Sequence, residues 1–151
     1  MERGFGALGL LTLEILVPTF RRPIFLRRLL SSLKSQRHRS FKVFVSDNGC
    51  SRASAWPVVC EFLDDLDIRY VTQLNELPVR AHFNYLLQFS GERFVTFISD
   101  DDILFSNYVC EFYRMLEEQP GNIMFGQRTL GVCSELNSVV SPPVRRFREG
   151  P

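Results

Sequence analysis

Apolar residues concentrate in short runs that recur along the chain and predict β-strands. The first run, TLEILV, ends at a proline, and the fourth, FVTFI, is almost continuously apolar. An unbroken apolar run is typical of a parallel strand that is buried on both faces. The predicted strands are Thr12–Val17, Phe41–Val45, Ile68–Val71 and Phe94–Ile98, and Ile123–Phe125 begins a fifth.

Between these runs, apolar residues follow the i, i+3, i+4, i+7 spacing that predicts amphipathic helices. Pro23 suits the first turn of the first helix, because no backbone N–H is needed there. We expect the third helix to stop near Gly91 and the fourth to close at Pro120-Gly121. The apolar stripes are Leu26 with Leu29, Leu30 and Leu33; Val59 with Phe62, Leu63 and Leu66; Val79 with Phe83, Leu86 and Leu87; and Val109 with Phe112, Tyr113 and Leu116.

The alternation of strands and helices predicts an α/β fold, with a Rossmann-like parallel sheet and flanking helices. We expect residues 1–11 to be an N-terminal lead-in, residues 12–130 to form the domain, and residues 131–151 to be a disordered tail. In open α/β sheets, ligands bind outside the carboxyl ends of the strands. Candidate chemistry is therefore expected just after Val17, Val45 and Ile98.

Composition excludes several classes of protein. The chain has 151 residues, of which 45% are hydrophobic and 23% charged, enough for one domain with a real core and too apolar for general disorder. The net charge of +1 argues against a polyanion binder, so no nucleic-acid partner is expected. No apolar run reaches the roughly 18 residues of a membrane span. The four cysteines form no C-x-x-C pair, which favours free thiols in a reducing cytoplasm over a zinc site.

Three consecutive carboxylates, in Ser99-Asp100-Asp101-Asp102, directly follow the strand predicted at Phe94–Ile98. Neighbouring carboxylates repel one another, so a nearby cation would stabilise them. Mg²⁺ and Mn²⁺ prefer hard oxygen ligands and are commonly bound by one or two carboxylates plus substrate phosphates. The alternative is a solvated acidic turn that begins a helix, where the helix dipole favours negative charge.

Two further polar segments follow the first two predicted strands. Asp47 belongs to an Asp-Asn-Gly turn, which is common on its own but falls on the same sheet edge as the acidic residues. In Pro18–Pro23 (PTFRRP), Thr19 and the backbone N–H groups can bind a ligand, and Arg22 stands where a helix start attracts anions. Seven basic residues and no acid lie between Arg21 and Arg39. This run is either a solvated helix face or a surface for an anionic membrane.

In this order and spacing, these signals resemble the nucleotide-sugar half of a family 2 glycosyltransferase with the GT-A fold. The matching segments are Ile15–Pro23, Phe41–Gly49, Asn75, Asn84, Gly91-Glu92 and Phe97–Asp102. The resemblance implies an enzyme that transfers a sugar from a nucleoside-diphosphate sugar to a saccharide or lipid-linked acceptor with inversion, using Mg²⁺ or Mn²⁺. It also implies cell-envelope polysaccharide synthesis, in the cytoplasm or peripherally at the inner face of the membrane.

The resemblance assigns a set of substrate-binding residues, namely Pro18, Thr19, Phe20, Arg22, Asp47, Asn84 and Asp100. The first three would line the nucleobase pocket. Asp47 would accept a hydrogen bond from the base, and Asp100 would face the ribose or the phosphates.

Metal binding is implied for Asp101, which occupies the ligand position of the family's D-x-D-type motif. Asp102 is a second candidate ligand, since Ser99 replaces the first acid that is often found there. Two further departures concern the donor site. Arg21 replaces a common asparagine, and His82-Phe83 stands where many members carry an arginine.

The family's general base lies in an acidic segment after the fifth strand, and the later acids of this chain, Glu135 and Glu149, do not match that pattern. We therefore identify no catalytic residue and expect a truncated, donor-binding half. Two alternatives stay open. One is a non-catalytic nucleotide-sugar-binding or interaction module. The other is a nucleotidyltransferase, which would favour a glycine-rich loop where this chain has PTFRRP.

Overall fold

The computed structural model of the protein describes residues 12–50, 52–118, 131–133 and 138–140. The strands are β1 (Leu13–Thr19), β2 (Phe41–Asp47), β3 (Ile68–Thr72), β4 (Phe94–Phe97), β5 (Gly131–Cys133) and β6 (Ser138–Val140). The helices are α1 (Pro23–Lys34), α2 (Arg52–Cys60), α3 (Val79–Gln88) and α4 (Tyr108–Glu118). The chain divides into two compact units, residues 1–114 and 115–151.

The first four strands form one parallel sheet in the order β3-β2-β1-β4. Strand β1 pairs with β2 along its whole length, ending with Thr19 opposite Asp47, and it pairs with β4 from Leu13 opposite Phe94 onward. This arrangement confirms the predicted α/β fold with a Rossmann-like parallel sheet. It also places β1 in the interior of the sheet, where nearly all its side chains are buried.

Helices cover both faces of the sheet. On one face, Ile15 and Val17 pack with the leucine stripe of α1 and with apolar residues of α2 and α4. On the other face, Leu16 and Phe44 pack with Leu86 of α3. Because successive side chains of a strand point to opposite faces, a strand covered on both sides is largely apolar. That requirement explains the apolar run from which β1 was predicted. The charged residue of β1, Glu14, accepts hydrogen bonds from Arg69 and from the N–H of Gly91.

Helix α2 is shorter than its apolar stripe predicts, since it ends at Cys60 rather than continuing to Leu66. Pro57 has no N–H to donate to the helix, and the N–H of Phe62 bonds the carbonyl of Val59 at 3.0 Å in a tighter turn. Phe62 and Leu66 are nevertheless buried. The stripe therefore predicted Val59, Phe62 and Leu66 correctly as core residues, whereas Leu63 is exposed and the helix is shorter than predicted.

Helix α3 buries only Leu86 of its predicted stripe. Val79, Phe83 and Leu87 are exposed, whereas His82 and Leu86 are the buried residues of the helix. The spacing of four residues aligns His82 and Leu86 on the face toward the sheet. A search for apolar stripes excludes a histidine, so it selected the neighbouring face.

The second unit contains β5 and β6, which form an antiparallel pair. The sequence predicts a disordered tail over residues 131–151, and within that range the structure describes these two segments. The lead-in at 1–11, the helix stop at Pro120-Gly121 and the predicted strand at Ile123–Phe125 lie outside the described residues. None of the described helices combines the length and apolarity needed to cross a bilayer.

Candidate functional site

The polar residues that follow β1, β2 and β4 meet at the carboxyl edge of the sheet. Strands β1 and β2 continue beyond their predicted ends, so that Thr19 and Asp47 form their last pair. Just after β4, the N–H of Ile98 donates to the carbonyl of Leu16 at 3.0 Å, which holds the next residues beside β1. The backbone register therefore brings the acidic segment next to the end of β1.

A buried hydrogen bond joins these two segments. The hydroxyl of Thr19 donates to Oδ2 of Asp100 at 2.7 Å, and each residue is only 3% exposed. Burial raises the pKa of Asp100, because it disfavours the charged carboxylate more than Thr19 and Arg22 favour it. Asp100 is thus fixed at the edge of the sheet although burial makes its charged form less stable.

Asp101 differs from Asp100 in its surroundings, since its side chain is 48% exposed. The hydroxyl of Ser99 donates to Oδ1 of Asp101, and this bond, with help from Arg22, lowers the pKa of Asp101. Oδ2 of Asp102 accepts a hydrogen bond from the N–H of Ser99 at 3.2 Å, which closes the turn. Asp101 is therefore the ionised carboxylate that a ligand can reach, while Asp102 holds the turn together.

Arg22 supplies a positive charge to this acidic turn. Its Nη1 atom lies 3.5 Å from Oδ1 of Asp100 and 3.2 Å from Oδ2 of Asp101. Arg22 immediately precedes α1, so the start of that helix fixes the base of the side chain. The guanidinium relieves the repulsion between the two carboxylates.

A cavity of about 440 Å³ opens beside this turn. Among the predicted substrate-binding residues, the structure brings Pro18, Thr19, Phe20, Arg22 and Asp100 to its wall. A concave site of this size with a few convergent polar groups is typical of small-molecule binding.

The opposite wall was missed by sequence reasoning. It consists of Leu77, Pro78, Val79, His82 and Phe83, from the loop before α3 and from its first turns. The chain signals this wall only weakly, because its apolar residues read as a helix stripe rather than as a ligand surface.

Asn48 anchors that wall and was likewise missed. Its Nδ2 donates to the carbonyl of Leu77 at 2.8 Å, and the N–H of Leu77 donates to its Oδ1 at 2.8 Å. Asn48 belongs to the Asp-Asn-Gly turn, where an asparagine is expected for turn geometry alone. A contact with the backbone of a distant loop leaves no trace in the pattern of residue types.

Two predicted substrate-binding residues do not reach the cavity wall. Asp47 is fully buried, and its carboxylate oxygens accept hydrogen bonds from the N–H of Gly49 at 2.8 Å and the hydroxyl of Tyr70 at 3.0 Å. The side chain of Arg21, whose φ of 54° is left-handed, lies beside Gly49. Asn84 is exposed on α3 and does not line the cavity.

Within the described ranges, no three His, Cys, Asp or Glu side chains are grouped so that they could hold a metal ion. Asp101 still fits one kind of divalent site, because its carboxylate is ionised and half exposed. Mg²⁺ usually takes one or two carboxylates from the protein and its other oxygens from substrate phosphates and water. The residues present therefore fit a metal shared with a ligand rather than one enclosed by protein.

A cavity and an accessible carboxylate at the carboxyl edge of a parallel sheet define a ligand-binding domain of the Rossmann-like α/β class. The family-wide sequence pattern of Glycosyl transferase family 2 matches residues 14–144, and the chain belongs to this family. This finding confirms the resemblance found in the sequence. The chain is a family 2 glycosyltransferase-like protein. Its family membership favours the predicted glycosyltransferase over the alternative of a nucleotidyltransferase.

One relative is the GalNAc(5)-diNAcBac-PP-undecaprenol beta-1,3-glucosyltransferase of Campylobacter jejuni. The two are 33% identical over 125 residues, which cover 74% of this chain and 40% of the relative. The chain thus spans less than half the length of this glucosyltransferase.

Two solved structures share the fold. S. aureus TarS in complex with UDP-GlcNAc superposes with a TM-score of 0.65 at 22% identity, covering 73% of this chain and 32% of TarS. The mannosyltransferase PcManGT from Pyrobaculum calidifontis, in complex with GDP-Man and Mn²⁺, gives a TM-score of 0.61 at 17% identity over 69% of this chain and 32% of its own.

Proposed function

We propose that this chain binds a nucleoside-diphosphate sugar in the cavity at the sheet edge, as the donor-binding part of an inverting, metal-dependent glycosyltransferase. The observation that carries the proposal is the contrast between Asp100 and Asp101. One carboxylate lines the cavity, buried and fixed by Thr19, and the next residue along the chain is ionised and half exposed. A nucleotide site needs a polar group that is held in position, and it needs an accessible group near which the charged phosphates can bind with a cation.

The geometry suggests where each part of the donor would lie. The apolar wall, formed by Leu77, Pro78 and Phe83, suits the flat nucleobase, and Thr19 and Asp100 suit the ribose. The phosphates would then lie toward Asp101 and Arg22, which form an ion pair next to Asp100. We propose that Asp47 acts indirectly, by shaping the turn that carries Asn48, and that Asn84 contributes at most from outside the cavity.

Asp101 would hold a Mg²⁺ or Mn²⁺ ion together with the diphosphate, and Asp102 would support the turn from which it does so. Such an ion supplies charge neutralisation for a leaving diphosphate. The chain's own contribution is to keep Asp101 ionised, through Ser99, and to place Arg22 within 3.2 Å of it.

Transfer with inversion requires a base that deprotonates the acceptor hydroxyl opposite the leaving group. We propose that Asp47, Asp100, Asp101 and Asp102 serve the donor side and that the base comes from outside residues 12–118. The named substrate of the C. jejuni relative carries a PP-undecaprenol group. On that basis we propose a saccharide or lipid-linked acceptor and a cytoplasmic protein that reaches the inner membrane face peripherally.

Titration calorimetry tests the proposal directly. The chain is titrated with UDP, GDP and dTDP, first with MgCl₂ or MnCl₂ and then with EDTA. Binding of at least one nucleotide that is strongly weakened by EDTA is the expected result. Absence of binding to all of them would overturn the proposed donor site, and equal binding in EDTA would overturn the metal's role.

A further inference from the structure

His82 is a buried polar residue that the proposed function has not used. It is 4% exposed, yet it lines the cavity from the first turns of α3. Its Nε2 atom lies 2.8 Å from Oγ of Ser46, a fully buried residue of β2. Among the described residues, no side chain is hydrogen-bonded to its other ring nitrogen, Nδ1.

The contacts of Ser46 decide which ring nitrogen carries the proton. Nε2 of Gln73 donates to Oγ of Ser46 at 2.9 Å, since an amide nitrogen can only donate. The hydroxyl proton of Ser46 therefore needs an acceptor of its own, and His82 is the other hydrogen-bond partner of this oxygen in the described part of the chain. A buried hydroxyl proton without a partner is costly, so the hydroxyl donates to Nε2 of His82.

In a neutral imidazole, one nitrogen accepts and the other donates. With Nε2 accepting from Ser46, the proton lies on Nδ1. Burial also lowers the pKa of His82, more than the backbone of Ser46 and the carboxylate of Asp47 raise it, so the ring is neutral at pH 7. The series of hydrogen bonds from Gln73 through Ser46 to His82 therefore leaves Nδ1 of His82 as a neutral donor.

We infer that His82 is a specificity-determining residue that donates a hydrogen bond from Nδ1 to a ring carbonyl oxygen of the nucleobase. This inference rests on the proposed function, because it assigns a contact within the same nucleotide site. The wall around His82 is apolar, being formed by Leu77, Pro78 and Phe83, whereas Arg22 lies near the acidic turn. A neutral donor in an apolar wall matches a neutral carbonyl better than an anionic phosphate. Uracil and guanine carry such a carbonyl, and adenine does not.

Binding measurements on three variants test the contact. Titration calorimetry with UDP, GDP and ADP in the presence of MgCl₂ compares the unaltered chain with His82→Phe, His82→Gln and the exposed control Gln88→Ala on the same helix. We expect the unaltered chain and the control to prefer UDP or GDP over ADP by about tenfold or more, as one neutral hydrogen bond allows. His82→Phe should lose this preference, and His82→Gln, which keeps an amide donor, should retain part of it.

The outcomes separate this inference from the proposed function. If no nucleotide binds the unaltered chain, the proposed donor site is wrong. If nucleotides bind and His82→Phe keeps the same preference among bases, the role of His82 is wrong and the donor site stands.

A second measurement does not depend on the folding of the His82 variants. The ¹⁵N shifts of the imidazole nitrogens report the tautomer, and the chain has only two histidines, so His38→Gln assigns the signals. We expect Nδ1 of His82 to be protonated and Nε2 to be unprotonated at pH 7.5. A proton on Nε2 would overturn the inference.

Discussion

Arg22, which lines the cavity, forms an ion pair with Asp101, with Nη1 of the arginine 3.2 Å from Oδ2 of the aspartate. Both side chains are about half exposed, at 51% and 48%, so water screens the attraction and the pair is weak. A weak pair can open when a ligand competes for either partner. Arg22 therefore offsets the repulsion between Asp101 and Asp100, and the carboxylate of Asp101 remains accessible to a ligand.

The first prediction concerns Asp101. Asp101→Asn removes the ionised oxygen that would bind a divalent cation, so the dependence of nucleotide affinity on Mg²⁺ should disappear in titration calorimetry. Asp64→Asn is a matched control, because it removes an exposed carboxylate from the turn after α2, away from the cavity. Metal-dependent binding that survives in Asp101→Asn would remove this residue from the metal site.

The second prediction concerns Arg22 as a competitor of the metal. Arg22→Gln removes the guanidinium from Asp101, so Mn²⁺ should bind the nucleotide-free chain more tightly, by up to about fivefold for an exposed pair. Electron paramagnetic resonance of free Mn²⁺ measures this without any turnover. Weaker Mn²⁺ binding in this variant than in the unaltered chain would contradict the competition.

The third prediction concerns the stability cost of Asp100. Because burial raises its pKa above that of the unfolded chain, the ionised carboxylate opposes folding at pH 7, and this cost shrinks as the pH falls through the folded-state pKa. Asp100→Asn keeps an oxygen that accepts from Thr19 and removes the charge. Its melting temperature at pH 7 should equal or exceed that of the unaltered chain.

Thr19→Val provides the opposing control for Asp100. It leaves the buried carboxylate without its 2.7 Å hydrogen bond and should lower the free energy of unfolding by about 1–3 kcal/mol. Chemical denaturation at pH 7 measures both variants. A marked loss of stability in Asp100→Asn would show that the carboxylate stabilises the fold.

The fourth prediction concerns the pH dependence of stability. The pKa of His82 is lower in the folded chain than the unfolded value near 6.5, so the unfolded state binds more protons between these two values. The contribution of His82 to stability is therefore complete above about pH 6.5 and falls as the pH decreases to the folded-state pKa. Denaturation curves from pH 5 to 8 should show this fall in His38→Gln, which retains His82, and not in His82→Gln.

Strands β1 and β2 could be predicted because both are largely buried, and burial on both faces leaves an apolar run. The ends of β1 and β2 could not be predicted as well. Thr19 and Asp47 are polar, although they are the last paired residues of these strands. Backbone pairing continues beyond the last apolar residue, so the sequence pattern predicts loops at Thr19 and Asp47.

The candidate site was predictable where chemistry and position coincide. Thr19 ends β1 and Asp100 follows the adjacent strand β4, and both reach the cavity. Asp47 ends β2, but its carboxylate accepts hydrogen bonds from Tyr70 and Gly49, and such contacts depend on a residue distant in the sequence and on the geometry of a turn. His82 was overlooked as a donor because its tautomer depends on Ser46, from another strand.

The interior position of β1 sets how long the site keeps its shape. Its amides lie between β2 and β4, so hydrogen exchange along most of this strand requires opening of the sheet itself. Thr19, which positions Asp100, sits at the end of this strand. Local fluctuations that loosen the exposed acidic turn therefore leave the anchor of the site in place, and that anchor persists for as long as the domain remains folded.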